Sequence, residues 1–256
     1  MEKFSVEEQL LITEAKLINA LILEGLDCLR HSSFGNSGLY YQAFYSISCG
    51  IERLLKLIII EDYRSKNNNK MPNNGYLKKF SHNIYQMIED YTPSLLELEM
   101  NRKVLEFFSS FAKKARYYNL DILTGGYNEF LNPLEEWRII EDKILSSYNK
   151  RGSKIQNREV LANILDENYC IYLAGMDGKT INSASELLRE YEMVTCRQEY
   201  DVLVCFKIVR RLVDCLCEIE FKYNLYPYLW DVFRDIRGSY TDREIRLKKK
   251  WRDLIK

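Results

Sequence analysis

Apolar and polar positions alternate most regularly between Gly38 and Asp62. Tyr40, Phe44, Ile47, Ile51, Leu54 and Ile58 follow one another at steps of four and three, the spacing of one helix with a continuous buried seam. Leu55, Leu57, Ile59 and Ile60 widen the apolar surface toward the end of the stretch, so this helix needs neighbours on several sides. Before it, Ser5 and Glu8 form a capping box that opens a first helix running to about His31. That helix carries two stripes, Leu10, Leu17 and Leu21 beside Leu11, Ile18, Ile22 and Leu29, and the breakers of SSFGNSG end it.

After the central helix, the polar run 66–75 reads as an exposed, mobile loop. Ser81 is the expected N-cap of a short helix ending near Tyr91, with Ile84, Met87 and Ile88 on its buried side. Past Thr92 and Pro93, a single helix is predicted over 94–123, with Leu98, Leu105, Phe108, Ala112 and Ala115 as its seam and Asn119 on the same line. Gly125 and Gly126 stop it, and Pro133 opens another through Trp137, Ile140 and Ile144 to about Tyr148. The short basic segment 150–154 is the expected boundary between two parts, 1–149 and 150–256, with a helix over Val160, Leu161, Ile164 and Leu165 after it. Over 169–181 a hairpin turning at Asp177–Gly178 competes with a helix end followed by a loop.

A second capping box at Ser183 and Glu186 begins a stretch free of glycine and proline to about Leu225, the span of one very long helix. A third, at Thr241 and Glu244, opens a basic helix carrying Trp251, Leu254 and Ile255. The pattern predicts an all-α protein. Composition agrees, for only 4 prolines and 11 glycines interrupt 256 residues.

Lysine plus arginine equals aspartate plus glutamate at 37 each, so an attraction to nucleic acid or membrane must be local rather than global. The 7 cysteines contain no CxxC pair, and with only 2 histidines no set of ligands has metal spacing; neither metal nor cofactor is expected. The acidic first residues lack the apolar core of a signal peptide and no run spans a membrane, which predicts a soluble, cytoplasmic protein.

Three short patterns share a family likeness. They are Ile51, Glu52 and Lys56 on the central helix; Lys78, Ser81 and His82 before the next; and Ala115, Arg116 and Tyr117 on the fourth. Over about 5–124 the chain resembles the HEPN domain, a helical bundle of roughly four helices frequent in toxin–antitoxin, CRISPR-associated and antiviral defence systems. The resemblance implies a bundle, pairing as a homodimer, and RNA as a ligand. Catalytic members cleave RNA without a metal, using an Arg and a His separated by four to six residues. Arg116 fills the Arg position, whereas Asp121, Ile122 and Leu123 stand where the His would be.

The residues themselves offer two chemistries. His82 could act as a general acid or base beside Arg116, with Asn119 and Asp121 as polar neighbours; against this, His82 could simply tie its loop down and Arg116 could bridge structurally to Glu52. Arg243, Arg246, Lys248, Lys249, Lys250 and Arg252 form a basic run around Trp251 that would suit a nucleic-acid backbone or an acidic partner. The expected function is a non-catalytic helical module binding a protein partner or RNA, and the alternative is a metal-independent endoribonuclease centred on Arg116.

Overall fold

A computed structural model describes residues 4–33, 35–126, 131–148, 171–175 and 180–251. Helices dominate the described residues: α1 (Val6–His31), α2 (Gly38–Lys66), α3 (Asn74–Lys78), α4 (Ile84–Tyr91), α5 (Glu99–Lys113), α6 (Tyr118–Leu123), α7 (Pro133–Tyr148), α8 (Ala184–Tyr223), α9 (Arg234–Arg237) and α10 (Asp242–Leu247). The fold is all-α, the strand pair among the described residues being β1 (Leu173–Ala174) against β2 (Thr180–Ile181). That pair is the hairpin of the two alternatives for 169–181.

The centre is an antiparallel pair of helices keyed by glycine. A Cβ on Gly25 of α1 would meet Ile47 Cγ1 of α2 at 2.5 Å, and one on Gly50 of α2 would meet Ile22 Cγ1 of α1 at 2.7 Å. Each glycine is thus the socket for an isoleucine on the other helix, and any larger residue would push the pair apart. Helix α8 lies along both, so residues expected in two separate parts share one hydrophobic core. The seam of α2 is buried as its spacing predicts, from Tyr40 through Ile58. On α1 only one of the two stripes is inside: Leu11, Ile18, Ile22 and Leu29 are buried, whereas Leu10 and Leu17 are exposed.

An aromatic cluster joins α2, α5 and α7. Trp137 lies within 5.2 Å of Phe44, 4.9 Å of Phe107 and 5.7 Å of Phe108, centroid to centroid. Beyond α8, the chain is fastened by two buried acids. Glu61 holds Arg64 at 2.7 Å, and Arg64 donates to the Tyr226 carbonyl; Glu220 accepts the backbone N–H groups of Leu229 and Trp230.

Four boundaries differ from the sequence pattern. The helix expected over 94–123 is broken into a 3₁₀ turn at Pro93–Leu96, α5, a second 3₁₀ turn at Ala115–Tyr117, and α6. Leu98 is an extended N-cap residue (ψ 119°) and exposed, and Lys114 (φ −144°) leaves helical geometry where the buried seam ends at Ala115. Past that point Leu120, Ile122 and Leu123 are exposed, so no apolar face holds the helix straight. Ser81 is not an N-cap: it has φ +46°, and Asn83 caps α4 instead. The run 66–75 is not all loop, because Asn73 accepts the Tyr76 N–H and starts α3. The C-terminal helix is only Asp242–Leu247, because the chain turns out of it to bury Trp251 against Phe206, 4.7 Å between centroids. The boundary at 150–154 and the helix expected over 160–165 lie outside the described residues.

Candidate functional site

The outer edge of α2 forms one wall of a small cleft. Tyr45, Ser48, Cys49, Glu52 and Arg53 recur at helical steps along that edge. Phe111 and Ala112, from the last turn of α5, face them; His82 enters from the turn before α4 and Arg116 from the 3₁₀ turn after α5. The cleft holds about 150 Å³. Two contacts fix the facing segments: Lys113 Nζ donates to Asn83 Oδ1 at 2.9 Å, and the Tyr85 N–H donates to Ser109 Oγ at 3.3 Å.

Glu52 organises the floor. Its carboxylate accepts from Lys56 Nζ at 2.6 Å and contacts His82 Nδ1 at 3.0 and 3.1 Å. The Glu52 side chain is 13% exposed and the His82 side chain 56%, so the acid anchors an imidazole that reaches solvent. Holding Nδ1 on a carboxylate leaves Nε2 as the nitrogen available to a ligand. Arg116 makes no bridge to Glu52. Its guanidinium lies exposed, 4.9 Å from the Tyr117 ring, without an ion-pair partner among the described residues. The register bridge between Glu52 and Arg116 is therefore absent, because Lys56 and His82 already occupy the carboxylate. Cys49 is unsuited to nucleophilic work, since burial pushes its thiol pKa up and disfavours the thiolate despite nearby Arg53.

Asn119 and Asp121 do not line this cleft. Asn119 Oδ1 accepts from Tyr41 Oη at 3.2 Å, and the Asp121 carbonyl closes the end of α6 by accepting the Gly126 N–H at 2.8 Å. The break after Ala115 redirects both away from the α5 seam. Exposed Lys78, Lys79, Lys113 and Lys114 surround the segments that deliver His82 and Arg116.

The C-terminal basic run is partly used internally. Arg246 contacts Glu199 at 3.1 Å and covers the Tyr200 ring at 4.2 Å; Lys248 lies over Tyr240 and Trp251. Arg243, Lys249 and Lys250 are exposed, and Arg252 lies outside the described residues. Lys207 of α8, nearby, is paired with Asp242 at 2.7 Å.

Tyr45, Ser48, Cys49 and Arg53 were absent from the sequence-based site, although their helical spacing from Glu52 marks them as one face of α2. Among the described residues no group of His, Cys, Asp and Glu is arranged to hold a metal, and no helix is long and apolar enough to cross a membrane. Set against family models, curated proteins and solved structures, the chain matches none of them.

Proposed function

We propose that this chain binds RNA through its phosphodiester backbone at the cleft between α2, α4 and α5. The observation that carries this reading is that Arg116 and His82, from separate segments, open onto one cleft while Arg116 has no ion pair among the described residues. An unpaired guanidinium can clasp a phosphate through two parallel N–H donors. Lys78, Lys79, Lys113 and Lys114 supply the surrounding positive field in a protein whose net charge is zero. Arg243, Lys249 and Lys250, exposed near the C-terminus, form a secondary contact at most, since Arg246 and Lys248 are already engaged.

The test is fluorescence anisotropy with a labelled single-stranded RNA over a salt series. Arg116→Ala should weaken binding roughly tenfold, the worth of one charge-assisted contact, and lower the salt slope by about 0.7. Unchanged affinity and slope in Arg116→Ala would remove the cleft from consideration.

A second reading, cleavage, is favoured by the hold of Glu52 on His82 Nδ1. In that reaction His82 Nε2 takes the proton of a ribose 2′-OH, and the 2′-oxygen attacks phosphorus. The P–O5′ bond breaks, O5′ leaves with a proton from solvent, and Arg116 neutralises the phosphorane. The products are a 2′,3′-cyclic phosphate and a 5′-hydroxyl. Incubation with RNA in EDTA decides it: cutting lost in His82→Ala supports cleavage, and intact RNA at micromolar protein leaves binding alone.

A further inference from the structure

The most unusual chemistry in the molecule lies in its core, away from the cleft. Glu141 of α7 and Asp201 of α8 are both fully buried and lie against one another. Tyr40 Oη of α2 donates to Glu141 Oε1 at 2.9 Å. Glu141 Oε2 and both oxygens of Asp201 find no hydrogen-bond partner among the described residues. Trp137 Nε1, a buried donor without a full hydrogen bond, also acts on Asp201, but two buried carboxylates with Tyr40 as their one full donor would repel each other in a medium that screens poorly.

Neighbouring charges do not remove the conflict. On α7, Arg138 lies 3.8 Å from Glu141 Oε2 but directs its closer contact, 2.7 Å, to Glu190 of α8. Arg197 of α8 is buried, and its ion pair is with Asp142 at the surface edge of α7. Cys205, one turn along α8, is a neutral thiol whose pKa burial and Asp201 raise. From the end of α1, Ser32 lies beside Tyr40, and Arg30 is turned to Glu199 at 3.7 Å. Helix α5 presents the rings of Phe107 and Phe108 toward Trp137.

We propose that Glu141 and Asp201 hold a proton between them, and that losing it releases α7 from α8, making this junction a pH-responsive latch. A shared proton lets one carboxyl donate and leaves at most one negative charge beside Arg138. Burial pushes Glu141 up to about 7 against opposing pulls from Asp201, Tyr40 and Arg138, in that order, with Asp142 adding a smaller upward push; Asp201 is raised well above the usual carboxylate range by burial and by Glu141.

The sign follows from proton linkage. Folded pKa values lie above those of the unfolded chain, so the folded state binds more protons. The stabilisation is complete below the ordinary carboxylate range and is lost as pH rises through about 7. Opening would reach the surface through Phe111, which stacks on Phe107 at 6.1 Å and also lines the cleft. The latch stands whether or not the cleft binds RNA.

Hydrogen–deuterium exchange of peptides from Pro133–Tyr148 reads the latch directly. After correction for the intrinsic rate, α7 exchange in the wild type should accelerate as pH rises from about 5 toward about 7, approaching tenfold per pH unit for one proton, and level off above that. Glu141→Gln should flatten that dependence while remaining folded, because its amide mimics the protonated acid; Asp201→Asn provides the same test from α8. Protection of α7 that does not change with pH in the wild type overturns the proposal on its own. The same pH dependence persisting in a folded Glu141→Gln protein overturns it as well.

Discussion

Helix α2 serves two acidic sites under opposite conditions. Near its middle, Glu52 meets Lys56 and His82 at the edge of solvent, and every partner is within hydrogen-bond reach. At its start, Tyr40 offers Glu141 a single donor in a dry core where Asp201 adds a second acid. At the surface, water tolerates Arg116 without an ion pair among the described residues, at little cost in stability. In the core no group can be left free cheaply, and protonation becomes the means of lowering charge. One helix thus separates a solvated, fully partnered acid from a buried, under-partnered one.

The comparison breaks most visibly at Trp137. Trp137→Ala empties the meeting point of Phe44, Phe107 and Phe108 and should cost about 3–5 kcal/mol in urea unfolding followed by circular dichroism. A loss below 1 kcal/mol would mean that α7 contributes little to the core. Tyr40→Phe removes the donor to Glu141 and should cost about 1–3 kcal/mol. Because that hydrogen bond favours the charged acid, its loss should also move the opening of α7 to higher pH. Glu52→Gln, at the wetter site, should cost only about 0–1 kcal/mol in the same unfolding assay. Leu123→Ser, on an exposed and unsupported turn of α6, should change stability by less than about 0.5 kcal/mol.

The seam of α2, the capping boxes at Ser5 and Thr241, and the span of α8 were legible because each depends on local spacing. The break after Ala115 was less so: an apolar run continues through Leu123, and only the absence of an opposing surface makes it exposed. The cleft was legible in part. His82, Glu52 and Arg116 do meet, but which of them pairs with Glu52 depends on a competition with Lys56 that chain order does not reveal. The buried acids did leave a trace. Glu141 falls between Trp137 and Ile144 on the α7 seam, and Asp201 between Val194 and Ile208 on α8, at the steps where apolar residues belong. A charged residue at a seam step marks a core group whose partner comes from elsewhere in the chain. That partner lies beyond any local pattern.

The glycine-keyed pairing of α1 with α2 also orders assembly in time. These helices are neighbours in sequence, so their interlock needs only a short loop closure. Helix α8, which covers the remaining face of that pair, arrives only after α7 has been made. A nascent chain therefore carries a closed hairpin with a bare apolar flank until α8 docks. That same docking brings Asp201 onto Glu141, so the step that covers the hairpin is also the step at which the protein takes up its buried proton.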